Sequence, residues 1–412
     1  MTGFVKKGKI TSALLIISGV IVIGLDGCGD IGQNFDDIPP EVSEVELSEI
    51  YEPQTQEEGE ETKDTEESEA VREIPEIYYG YHVLGESEQT LYLEILDALT
   101  AMSGEVTVST LDSTLLDRIF ECVLNDHPEL FYVEGFKYTE HFFGDVLTRI
   151  TFEGTYSMTK EEAELTLVEI ENRLSECMSE VPLNEDEYST VRFLYDYLID
   201  ITEYDTNAAD NQNICSVFLG GRSVCQGYAK AMQYMLQEAG MQSLLVTGYT
   251  GTERHAWNLV RVNGRYYYLD PTWGDASYSY SGSEGLEGGI FLPPINYDYF
   301  LVTTNEISKT HSFEDTIALP SCDSTEDNYY VREGLYFEGY DRQQLENVFD
   351  SEDVKQADYV TLKCANMQVY NEMLSAIIDD RQIFSIIKAS EGAISYASNE
   401  ELGTISFWNI FY

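Results

Sequence analysis

The stretch Gly221-Arg222-Ser223-Val224-Cys225-Gln226-Gly227-Tyr228-Ala229-Lys230 decides how the chain is read. It opens an apolar pattern at helical spacing, Ala229, Met232, Met235, Leu236 and Ala239. Gly240 then stands where a helix C-terminus takes a glycine. The spacing predicts a helix of about fourteen residues with Cys225 in its first turn. Unpaired N–H groups and the positive end of the helix dipole favour a thiolate there. A cysteine so placed is a candidate nucleophile, whereas a cysteine on an apolar helix is otherwise an inert core residue.

Downstream lie two β-like runs, Glu253-Arg254-His255-Ala256-Trp257-Asn258-Leu259-Val260-Arg261-Val262 and Arg265-Tyr266-Tyr267-Tyr268-Leu269-Asp270-Pro271-Thr272-Trp273. Asn263-Gly264 between them is the strongest two-residue signal for a type I′ hairpin. With that turn, Val262 faces Arg265 and the position of Trp257 faces that of Asp270. His255 and Asp270 then become diagonal neighbours on one face, about 7–8 Å apart at the backbone. An imidazole and a carboxylate can bridge that gap, and a carboxylate on one ring nitrogen fixes what the other can do. If the second nitrogen meets Cys225, the three make a thiol acyl-transfer triad. Taken singly, His255 reads as a core histidine and Asp270-Pro271 as a turn.

The hairpin alone does not place the Cys225 helix against it. Val224-Cys225-Gln226-Gly227-Tyr228-Ala229, His255-Ala256-Trp257-Asn258 and Asp270-Pro271-Thr272-Trp273-Gly274-Asp275, in this order and spacing, resemble the core of the transglutaminase-like superfamily, a papain-like thiol fold. Tyr204-Asp205 and Asp126-His127-Pro128-Glu129-Leu130-Phe131 extend a looser resemblance to residues 77–315. The resemblance implies an α+β fold with a cysteine at a helix N-terminus packed on a sheet that supplies His and Asp. It makes Cys225 the nucleophile, His255 the general base and acid, and Asp270 the orienting carboxylate. It also implies an oxyanion donor upstream of the cysteine, for which Gln212 and Asn213 are the candidates beside the Cys225 backbone N–H. Trp257 and Trp273 are expected to wall the site and fill core rather than contact substrate. Asn258 receives no chemical role, and His82, His127, His141 and His311 are expected to be structural or exposed. No cofactor and no metal are implied; acidic clusters are present, but no Ca²⁺ loop of known spacing.

The 412 residues hold 75 acids against 23 Lys and Arg, a net charge of −52. Such a field argues against nucleic-acid binding. Lys6, Lys7 and Lys9 precede an apolar run from Ile10 to Leu25, and Leu25-Asp26-Gly27-Cys28 is lipobox-like apart from Asp26. Residues 1–28 therefore read as the signal of a bacterial exported lipoprotein, with Cys28 lipidated and the chain held on the cell membrane; simple secretion or a retained anchor are the alternatives. Residues 29–76 carry 18 acids against Lys63 and Arg72 and read as an acidic, disordered linker. Seven dispersed cysteines show no CxxC spacing, which argues against structural zinc and against a full disulfide framework, while leaving room for one or two bridges.

The remaining chain divides into a catalytic domain over 77–320, with its core at about 185–315 and an N-terminal helix-plus-strand extension, and a small α+β accessory module over 321–412. In the extension the pattern predicts helices from Ser87 and over about 110–125, strands near 130–133 and 147–153, and a helix opened by the Thr159–Glu162 capping box. The function read from these features is cysteine-dependent acyl transfer on peptide or glutamine amide bonds, hydrolysis before cross-linking. Protein or peptide substrates, cell-wall peptides among them, are the expected partners. The competing reading is a non-catalytic surface scaffold that keeps the fold.

Overall fold

Asn263 and Gly264 both adopt positive φ, 49° and 79°, and turn the chain between Glu253–Val262 and Arg265–Leu269. The ladder pairs Val262 with Arg265 and runs to Asn258 opposite Leu269, the register that a two-residue turn dictates. One step further the chain leaves the ladder, and Asp270 caps the short helix Pro271–Gly274. This is a computed structural model. It describes residues 72–182, 186–275, 295–314, 316–387 and 394–411. The signal-like segment, Cys28 and nearly all of the acidic linker lie outside the described residues, as does the Gly-, Ser- and Tyr-rich stretch 276–294. No helix among the described residues is long and apolar enough to cross a membrane.

The hairpin forms half of a four-stranded antiparallel sheet ordered Arg265–Leu269, Glu253–Val262, Ser243–Thr250, His311–Phe313. The helix Cys225–Glu238 has the predicted length of fourteen residues and packs on this sheet. Small side chains make the close approach possible: Ala229 meets Leu245 and Ala256 in a buried cluster. Gly240, at φ 76°, ends the helix as the sequence requires.

The helix is also tied to the N-terminal extension. Gln233 and Gln237 donate to the carbonyls of Asn125 and Asp126 at the end of the helix Ser113–Asp126, at 2.6 and 2.8 Å. That extension adds the helix Glu86–Ala101 and a three-stranded sheet ordered Val106–Val108, Val146–Tyr156, Val133–Phe143. Two details differ from the sequence reading. The helix predicted from Ser87 begins at Glu86 with Gly85 as its cap, so Ser87 lies inside its first turn. Leu130, Phe131 and Tyr132 are buried ahead of a strand that starts only at Val133. The Thr159–Glu162 capping box forms and opens Lys160–Met178.

The chain beyond residue 320 builds a second sheet, ordered Tyr336–Phe337, Tyr359–Cys364, Thr404–Trp408, Ser395–Asn399, over a core of its own that includes Phe337, Phe349, Leu362 and Phe407. The architecture is α+β. Cys122, Cys177, Cys215, Cys225, Cys322 and Cys364 are all free thiols, so the described residues contain no disulfide.

Candidate active site

Cys225 is the first residue of its helix, preceded by Val224 in extended conformation. It is the one partly exposed cysteine among those described; the other five are buried. Burial pushes the thiols of Cys177 and Cys215 up to about 12 and those of Cys322 and Cys364 to about 11, which makes them poor nucleophiles.

His255 is 6% exposed and Asp270 is wholly buried. The imidazole Nε2 donates to Asp270 Oδ2 at 2.7 Å. Cys225 acts on the same ring both as a hydrogen-bond partner and as a charge. With Nε2 engaged by the carboxylate, Nδ1 is the nitrogen left to face the sulfur. Burial works against a charged imidazole, yet the Asp270 carboxylate, its hydrogen bond and Cys225 together outweigh it and raise His255 to about 10. Burial likewise disfavours a charged Asp270, and the surrounding imidazoles overcome it, holding the carboxyl far below the usual range.

Asp270 is satisfied on both oxygens. Oδ1 accepts from the backbone N–H of Thr272 at 2.9 Å and of Trp273 at 3.1 Å. Oδ2 accepts from His255 and also from His311 Nε2, at 3.1 Å. His311, expected to be structural or exposed and without a partner, is thus buried against the orienting carboxylate. It arrives on the three-residue strand His311–Phe313, far too short to announce itself by periodicity. His255, Asp270 and His311 are also the one group among the described residues whose ligating atoms converge, within 4.8 Å of one another, and so the one that could hold a metal ion.

The other expected residues fall as follows. Asn213 caps the helix Ile214–Phe218: its Oδ1 accepts from Cys215 N at 2.9 Å, and its amide NH₂ points to Phe131 O at 3.5 Å. That side chain is committed to the fold, which corrects its candidacy as oxyanion donor. Gln212 is partly exposed and makes no hydrogen bond among the described residues. Trp257 is fully buried, stacked 6.0 Å from the His255 ring and edge-on to Phe313; it is core, with no face open to a substrate. Trp273 is partly exposed and packs 6.0 Å from His255, 4.9 Å from His311 and 4.8 Å from Tyr299. Asn258, given no role from sequence, donates to Ala229 O at 2.8 Å and ties the His255 strand to the Cys225 helix. The Asn-before-apolar-run signal that marks a helix cap was legible at Asn213.

Residues 179–271, which include Cys225, His255 and Asp270, match the sequence model of the transglutaminase-like superfamily. The chain is 28% identical over 134 residues to the kyphoscoliosis peptidase of Mus musculus, covering 28% of this chain and 20% of that protein. It is 30% identical over 101 residues to the Homo sapiens kyphoscoliosis peptidase, covering 20% of this chain and 15% of that one. The matched stretch is therefore a small part of either relative. Among solved structures, a TGase aligns with a TM-score of 0.26 at 14% identity, covering 38% of this chain and 49% of that one. The periplasmic domain of TgpA from Pseudomonas aeruginosa aligns with a TM-score of 0.22 at 16% identity, covering 31% and 57%. Residues 179–271 of this chain thus resemble the core of the transglutaminase-like superfamily.

Proposed function

We propose that this chain is an exported, lipid-anchored thiol enzyme that transfers the acyl group of a peptide or glutamine amide to water. The observation that carries the reading is the division of the His255 ring, with Nε2 on a buried carboxylate and the other nitrogen left for a partly exposed thiol at a helix start. Cys225 passes its proton to His255 Nδ1, and Asp270 stabilises the imidazolium. The thiolate adds to the carbonyl carbon. The oxyanion meets the Cys225 backbone N–H, which has no partner within the helix, and Gln212, upstream in sequence, is the candidate side-chain donor. The imidazolium returns its proton to the leaving amine as the C–N bond breaks, leaving a thioester. His255 then takes a proton from water as the water oxygen attacks the thioester carbon; the C–S bond breaks, the carboxylic acid leaves, and the imidazolium returns its proton to the sulfur. An amine in place of water would make the same machinery a transglutaminase. Export and the lipid anchor rest on Lys6, Lys7, Lys9, the apolar run after them and Cys28. Peptides of the cell wall or surface proteins are the substrates such a location offers.

Because the other described thiols are buried, selective labelling of Cys225 would follow from exposure alone. The discriminating measurement is the rate and pH dependence of Cys225 alkylation by iodoacetamide in the wild type, His255→Ala and Asp270→Asn. The enzyme reading expects fast labelling at neutral pH that both substitutions slow. Labelling at the rate and pH profile of a free thiol in all three proteins would leave only a scaffold. Peptide cleavage compared with incorporation of a fluorescent primary amine then separates water from amine as the acceptor.

A further inference from the structure

Asp270 Oδ2 accepts from two imidazoles, and the thiol chemistry uses only one of them. We propose that His311 is a positioning residue, whose Nε2–H···Oδ2 bond locks the Asp270 carboxylate in the rotamer that His255 requires. The inference rests on the acyl-transfer reading above and deepens it.

The proton on His311 can be placed. A carboxylate only accepts, so the nitrogen facing it must carry hydrogen. On the other side, Nδ1 lies 2.8 Å from Thr310 Oγ1. Burial lowers the affinity of His311 for a second proton and His255 opposes it too, against the pull of Asp270 and of a hydrogen bond to the Ile307 carbonyl. The ring is held on its faces and edges as well. Trp257 and Trp273 lie 4.9 Å away, and Tyr299 and His255 lie 5.4 Å away, centroid to centroid. Asp270, His255, Thr310, Tyr299 and the Ile307 carbonyl are polar and titratable groups that face it. Two donors on one oxygen share its electron density. His311 therefore both fixes the carboxylate and tempers its hold on His255, keeping the imidazolium from becoming too weak an acid to return its proton.

The test compares wild type with His311→Phe, which fills the space without a donor, and His311→Gln, which offers an amide N–H. Each is first shown to be folded by its cooperative thermal transition. The geometry expects His311→Phe to slow Cys225 alkylation at neutral pH about 10- to 100-fold, the scale of a small misplacement at a reacting group. It also expects the alkaline limb of the pH profile to move upward, and His311→Gln to recover most of the rate. A folded His311→Phe with the wild-type rate and profile would overturn the proposal, as would a His311→Gln no better than Phe. An NMR titration of His255 in a Cys225→Ala background needs no reactive thiol. There His311→Phe should raise the His255 midpoint; an unmoved midpoint overturns the positioning role even if acyl transfer is established. A moved midpoint sustains it even if the thiol proves inert.

Discussion

Gly227, two residues into the helix after Cys225, supplies a sharp test of how the thiol is held. An exposed mid-helix Gly→Ala change stabilises by about 1 kcal/mol. Here a methyl group would sit 1.9 Å from Ser223 Oγ, 2.9 Å from Asn211 O and 3.0 Å from Ser216 Oγ. Ser223 Oγ cannot simply turn away, because it donates to Asn211 O at 2.9 Å and lies 2.7 Å from Ser216 Oγ. Breaking those two bonds costs about 1 kcal/mol each. Overpacking adds about 1–3 kcal/mol. After the propensity gain, Gly227→Ala should destabilise by about 2–4 kcal/mol, read from urea unfolding. The alternative to losing the Ser223 network is a shift of the first helical turn by about 1 Å, which carries Cys225 with it and should slow its alkylation up to about 100-fold. Adding Ser223→Ala removes the closest contact, so the two substitutions should couple favourably in a double-mutant cycle. A Gly227→Ala protein as stable as wild type, with unchanged Cys225 reactivity, would refute the claim that this turn is packed to its limit.

Three further outcomes follow from the packing and charge around the site and its supporting helices. In Asp270→Asn the buried His255 loses its counter-charge, so its titration should fall from about 10 and acyl transfer should drop by roughly three to four orders of magnitude, as a pH–rate profile would show. Asn258→Leu loses the 2.8 Å bond to Ala229 O but also removes an Oδ1 that is buried without a partner; unfolding free energy should change by less than about 1 kcal/mol while Cys225 alkylation slows. Burial raises Asp126 to about 6 despite hydrogen bonds from Gly80, Tyr81 and Tyr92. Folding therefore binds its proton more tightly than the unfolded chain does near 3.9, so its contribution is complete below about pH 4 and is lost as pH rises through 6; the stability of wild type relative to Asp126→Asn should fall over that window in urea titrations.

The parts of the fold legible in sequence are those set by local chemistry. Asn263-Gly264 specified the hairpin because only a turn with two positive φ values joins those strands without splaying them, and the register followed. The helix Cys225–Glu238 was legible from its apolar spacing and Gly240. The strand Val133–Phe143 was misplaced because its exposed polar residues dilute the alternation, while the apolar Leu130-Phe131-Tyr132 before it is buried in a turn. His311 was illegible for a different reason. Only closure of the sheet, with Thr250 opposite His311, brings it back to a carboxylate 41 residues away. Nothing local distinguishes such a histidine from a surface one.

Asp270 shows why this site and this fold are one construction. Its N–H donates to Tyr299 O at 3.0 Å, and its carbonyl accepts from Gly274 N at 3.0 Å and Tyr195 Oη at 3.2 Å. Its Oδ1 caps Pro271–Gly274, and its Oδ2 takes two imidazoles. A carboxylate buried this completely is tolerated only when every lone pair is met, since an unmet buried charge would destabilise the fold by several kcal/mol. Folding therefore demands the same fixed orientation that the proposed proton relay through His255 would need, and that reaction would have no further ordering of this group to supply. The Cys225 helix is fastened to that arrangement through Asn258 and Ala229 rather than through the reacting atoms themselves. In the proposed reaction a proton would pass between sulfur and imidazole without breaking the bond that joins these two elements.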